Sequence, residues 1–364
     1  MRSTLLRRCF LALAVLAPLS LATSRVARAE DEPNPLTADP ETLCEYSSFD
    51  LTLAAEALPK DWKLLEGDAA GPEAKALEAA IAAIGKDKGV ASSDAFHVEM
   101  RTVAGPDGAK LLYALYDLGE PSATFTDALK AEAAKQGWVV RAMGTPKHGL
   151  VVAAPEAARE KAVGVATAWA THILAVRASG ALESMMGARA IGLSRVALAI
   201  DDKNASAHLI IGLMAKEIAL RAEPRGNLDP AITHLRAALS KDATNPLGAR
   251  DATLARGNLG SAILNKGGPS AEARDALKEA VKTVSEVSRE EGIGYRYDLA
   301  CAHARLKEIE PAFALLTAVL EDHAKEPVNG ISAWRKDPDF ENLKADERWK
   351  KLIEKYGESE SSNN

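Results

Sequence analysis

Few residues in this chain are of types and spacings that could do chemistry. Carboxylates fall close together at Asp201-Asp202 and at Asp337 and Asp339. Such pairs serve proton transfer when their environments hold them in different ionisation states, or hold a divalent cation when they converge. Histidines at His148, His172, His208, His234, His303 and His323 follow no common ligand spacing, and the cysteines Cys9, Cys44 and Cys301 form no CxxC pair. HExxH, GxSxG, a Walker loop and GxGxxG after a strand are also missing. The sequence therefore predicts no catalytic, cofactor-binding or metal-binding residue and no bound cofactor.

The positions of these residues predict structural duties. Asp201-Asp202 sits at a break between helical segments, where Asp favours a turn. Asp337-Pro-Asp339 precedes Phe340 and Leu343, in a segment that resembles the closing segment of helical repeat arrays, and that resemblance implies that Asp337 caps a short helix. His148 falls in a Gly144 to Gly149 turn. His208 and His303 fall at the edge of a helical core, and Met185-Met186 at a helix start reads as packing. Cys301, within an Ala-rich helix, reads as a buried thiol acting as a small apolar group. Spacing leaves open whether it meets Cys44.

Elements that could carry these residues begin after an export signal. Met1 to Arg8 is basic, Cys9 to Ala22 is apolar, and Ala27-Arg-Ala29 precedes Glu30. A run this short, with Pro18 inside it, suits a cleaved secretory signal better than a span of about 20 residues. Cleavage is expected after Ala29, leaving a periplasmic or secreted chain without stable membrane insertion. It removes Arg2, Arg7, Arg8, Arg25 and Arg28 from a chain of formal net charge −6. The mature protein is thus more acidic still, which argues against nucleic acid or anionic lipid as a partner. Aromatic residues make up only 5%, too few for a base-stacking platform. With 364 residues and 47% hydrophobic side chains, the chain is long enough for more than one core.

Residues 30–43 read as a polar, Pro-rich leader and 44–154 as a small α+β domain. Its helix is expected over Pro72 to Ile84, ended by Gly85. A hairpin follows over Phe96 to Ala104 and Lys110 to Leu118, then a helix over Ala123 to Gln136 ended by Gly137. Strands at Trp138 to Met143 and Leu150 to Ala153 complete it.

From Glu156 strand signals vanish, and the stretches at Ala190 to Asn204, Ala231 to Asn245, Ala273 to Val281 and Ala312 to Leu320 repeat one spacing of small and apolar residues. Partner helices carry an apolar residue followed by a small one: Ile211-Gly212, Leu259-Gly260 and Leu299-Ala300. Small residues at a crossing let two antiparallel helices approach closely.

This pattern resembles the tetratricopeptide repeat, a helical hairpin with small residues at its eighth and twentieth positions and Ala at the twenty-seventh. Residues 300 and 312 keep the spacing of twelve. The family's Trp is replaced by His208, Arg256 and Arg296, its late Pro by Asp202 and Ala243, and residues 221–230 add an insertion. Trp334 to Leu343 and Asp346 to Leu352 resemble the end-of-group segment that closes many bacterial arrays, with a frayed tail expected over 357–364.

The resemblance implies a mainly α protein, a right-handed α-solenoid of helical hairpins over 155–356 preceded by the small α+β domain. It also implies that the first helix of each hairpin lines a concave groove. Projected onto this chain, the groove positions are Leu213, Lys216 and Glu217; Asn258, Ser261, Asn265 and Lys266; and Tyr297, Cys301 and Arg305. That mixture suits an extended peptide. Of the two-carboxylate clamp in chaperone-binding relatives only Asn258 has a counterpart, which disfavours a chaperone-tail receptor. The expected function is an exported, non-enzymatic scaffold or adaptor binding a protein or peptide in the groove, with self-association possible. The alternative is a small-ligand receptor or enzyme with its pocket at the junction of the α+β domain and the helical array.

Overall fold

Glycine and β-rich stretches dictate a hairpin layout for the first part of the chain, and the computed structural model has it. Described are residues 61–65, 96–105, 110–118, 123–144 and 148–357 apart from 185, 223, 329, 330 and 332, with isolated positions at 36 and within 71–79. The expected export signal and leader, Cys9, Cys44, Met185 and residues beyond 357 lie outside them. Of the helix expected over 72–84, Pro72, Lys75, Ala76 and Ala79 are described and helical. The chain divides into two compact units, Ser20–Ile210 and Ile211–Asn364.

In the first unit β1 (Lys63–Leu65), β2 (Phe96–Ala104), β3 (Lys110–Leu118), β4 (Trp138–Gly144) and β5 (His148–Pro155) form one antiparallel sheet in the order β1-β2-β3-β5-β4. α1 (Ala123–Lys135) precedes β4 and ends at Gly137, whose φ of 69° suits glycine at a helix stop. Two features differ from expectation. β1 is too short to show alternation, yet the ring of Trp62 just before it lies over Gly105, where a Cβ would sit 2.6 Å from the indole. His148 belongs to β5, paired in register with Asp117, so it lies in a strand and not in the expected turn.

Two helices, α2 (Arg159–Glu183) and α3 (Gly187–Ile200), belong to the same unit. Trp62, Val103, Val152, Ala154, Ala166, Trp169 and Leu193 share one buried cluster, so these helices and the sheet have a common core. Met186, at the N-cap of α3, is 47% exposed and does not pack as expected. At the other end of α3, Asp201 accepts from the Lys203 amide in the expected turn.

The second unit is helical. α4 (Ala205–Arg221) enters it and is followed by α5 (Asp229–Ala238), α6 (Ala249–Lys266), α7 (Ser270–Val281), α8 (Arg289–Arg305) and α9 (Ile309–Lys325), consecutive elements forming antiparallel pairs. The small residues mark the crossings. A Cβ on Gly212 would meet Leu235 of α5 at 2.8 Å, and one on Gly260 would meet Leu277 of α7 at 2.4 Å and the Ala273 carbonyl at 2.9 Å. α8 starts with a Ser288/Glu291 capping box.

After α9 come two short 3₁₀ segments, Trp334–Lys336 and Pro338–Leu343, and then α10 (Glu347–Tyr356). Trp334 and Trp349 stack edge-on at 5.0 Å, and Phe340 meets Tyr297 of α8 at 5.5 Å. Arg348 lies 4.3 Å from the Phe313 ring centroid and pairs with Glu310, fastening α10 to α9.

Gly260→Ala is expected to destabilise the chain by about 1–3 kcal/mol through overpacking. Gly294→Ala, in α8 with nothing within 4 Å, is expected to be neutral or to stabilise by up to about 1 kcal/mol. Urea unfolding of both variants checks the contrast. Acid unfolding offers a second check. Bonds from Arg348 hold the Asp346 carboxyl down to about 2, so the stability it adds is present above the ordinary Asp range and lost as pH falls through about 2. Asp346→Asn is expected to flatten that acid limb.

Candidate functional site

On α8 the positions 297, 301 and 305 follow each other at one helical turn, which puts Tyr297, Cys301 and Arg305 on one face. That face, the end of α6 and the segment Ala333 to Asp339 enclose a polar cleft of about 410 Å³. Arg225, Leu264, Asn265 and Asp298 complete its wall.

Polar bonds tie the first helices of the pairs together. Lys216 on α4 donates to the Asn258 side-chain carbonyl on α6 at 2.9 Å, and the Asn258 amide donates to Tyr295 on α8 at 3.0 Å and to the Leu254 carbonyl. Tyr295 reaches this position because Gly257 leaves room for its ring, where a Cβ would lie at 2.4 Å. Ser261 donates to Asp298, which Lys216 also attracts. Asn265 accepts from Arg225 at 3.1 Å and donates to the Ser261 carbonyl. Both asparagines thus spend their hydrogen-bonding capacity within the protein, leaving little for a peptide backbone.

The C-terminal segment enters the same network. Tyr297 donates to Asp337 at 2.7 Å, and Arg305 donates to Asp339 at 2.6 Å and to the Leu264 carbonyl at 3.0 Å. Asp337 also accepts from the Asp339 amide, the helix-capping duty its spacing predicts. Asn342 donates to the Ala304 carbonyl at the end of α8.

Electrostatics mark this region. Burial pushes the Asp298 and Asp339 carboxyls above the ordinary Asp range, with Asp337 adding repulsion, and burial lowers the Lys216 ammonium. Burial and the same carboxylates raise the Cys301 thiol well above its usual value. Cys301 is a free thiol that stays protonated, which leaves it a poor nucleophile. Cys301 and one oxygen each of Asp337 and Asp339 lie within 4.8 Å of one another, a grouping able to hold a cation. Those carboxylates are already bonded to Tyr297, Arg305 and a backbone amide.

Of the projected groove residues, Asn265, Tyr297, Cys301 and Arg305 line the cleft, while Lys216, Asn258 and Ser261 form the network beside it. Leu213, Glu217 and Lys266 are not in the cleft wall: Glu217 pairs with Arg221, and Lys266 turns to Asp229 at the start of α5. Sequence reasoning missed Arg225, in the segment between α4 and α5, and Lys336, in the C-terminal segment. The histidines have structural partners where contacts are described. His208 approaches the Asp202 carbonyl, His303 pairs with Glu308, and His323 accepts from the Val328 amide beyond α9.

Lys216→Met is expected to cost about 1–2 kcal/mol, since it removes a charge-assisted bond and leaves Asp298 without its attracting cation. Lys216→Met combined with Asp298→Asn is expected to recover most of that loss, and chemical unfolding of the double-mutant cycle measures it.

Compared with protein-family models, curated proteins and solved structures, the chain matches none.

Proposed function

We propose that this protein is an exported, non-enzymatic scaffold of tetratricopeptide-like helical hairpins that binds an extended peptide or protein segment along α4, α6 and α8. The observation that carries this reading is the cleft. Four residues that the resemblance to the tetratricopeptide repeat projects onto a groove, Asn265, Tyr297, Cys301 and Arg305, line one cavity open to solvent. Its walls hold charged groups at an energetic disadvantage, with Asp298 and Asp339 raised by burial, a pattern that clusters at functional sites. The polar lining suits a segment of chain better than an apolar small molecule. Export rests on the basic, apolar and Ala-Arg-Ala parts of residues 1–29. No helix among the described residues is long and apolar enough to cross a membrane.

A photo-crosslinking side chain at Asn265, in the cleft, is compared with one at Lys278, on α7 and outside the cleft wall, in envelope extract of a Gram-negative host. Crosslinks to a defined partner from position 265 alone are expected. Equal products from both positions, or none from 265, would overturn the reading. The mass of the recovered chain tests export independently: it should begin at Glu30.

A further inference from the structure

We propose that the junction between α9 and the C-terminal segment is a pH-sensitive latch, in which the neutral His323 ring holds the Val328 amide and a protonated ring releases it. His323 lies in the last turn of α9, and its Nδ1 accepts from the Val328 amide at 2.9 Å. A ring nitrogen accepts only while it carries no proton, so this bond belongs to the neutral ring alone, with its proton on Nε2. Val328 and Trp334 are both buried. The bond therefore stands where the chain passes from a helix end into the core.

The surroundings of the ring favour its neutral form. From the start of α8, Arg289 donates to the Asp322 and Glu326 carbonyls at 2.9 and 3.1 Å and pairs with the Glu326 carboxylate at 3.2 Å. Burial and that guanidinium hold the imidazole below its ordinary range. The acidic groups nearby are engaged elsewhere: Asp322 pairs with Arg296 of α8 at 3.0 Å and with Lys325 at 3.7 Å, and Glu321 meets Lys355 of α10. Protonation thus costs the Val328 amide its acceptor and sets a second cation beside Arg289. The stability that the neutral ring gives is whole above about pH 6.5, the ordinary imidazole value, and is lost as pH falls below it through the ring's own lower value. The chain beyond Val328 carries Lys336, Asp337 and Asp339 into the cleft wall. The latch therefore acts at the attached end of that wall, whatever occupies the cleft.

The test is amide exchange followed by NMR on the purified full chain between about pH 7.5 and 5, expressed as protection so that the intrinsic pH dependence of exchange cancels. Protection of the Val328 amide is expected to fall by roughly fivefold across that range, with a midpoint that matches the titration of the His323 ring in the same samples. The Ala273 amide, bonded to the Pro269 carbonyl at the start of α7, should show no such fall. His323→Gln, which cannot titrate, should abolish the pH trend at whatever level of protection it shows, while His303→Gln should leave the trend intact. Protection of Val328 that stays flat while the ring titrates, or a fall that persists in His323→Gln, would overturn the latch.

Discussion

Close approach of paired helices is the constraint on which the second unit depends. At Gly212 and Gly260 the facing leucines stand where any Cβ would collide. This is more than filling a core. Side chains at these crossings must be nearly absent so that Leu235 and Leu277 reach full burial. The same economy at Gly257 admits the Tyr295 ring, which brings its hydroxyl to Asn258 and links α8 to α6. The polar network of the cleft is thus built on the spacing that the glycines permit.

Much of this was legible because it is local. A small residue after a large apolar one, repeated in three helices, announces helix crossings, and the antiparallel pairs follow. Turn and cap assignments also hold where a single side chain decides them, as at Asp201 and Asp337. Tyr297, Cys301 and Arg305 could be placed on one face from helical spacing alone.

What the sequence did not reveal depends on distance along the chain. Nothing near Tyr297 or Arg305 signals that their partners are Asp337 and Asp339, and nothing in the insertion marks Arg225 as a cleft residue. Asn258 and Asn265 looked available to a peptide because their acceptors and donors, Lys216, Tyr295 and Arg225, lie on other elements. The turn of Lys266 towards Asp229 is tertiary and has no mark in the sequence. In the first unit β1 has three residues, too few for a period, and is defined by its pairing with β2.

The closure of α8 by the C-terminal segment also sets an order of events during synthesis. Tyr297 and Arg305 leave the ribosome well before Asp337, Asp339 and Asn342, the groups that will satisfy that helix. Until then Tyr297 and the Ala304 carbonyl at the end of that helix lack these partners. Since Phe340 and Leu343 become fully buried with those same residues, translation of this segment delivers a seal and the partners beneath it in one step.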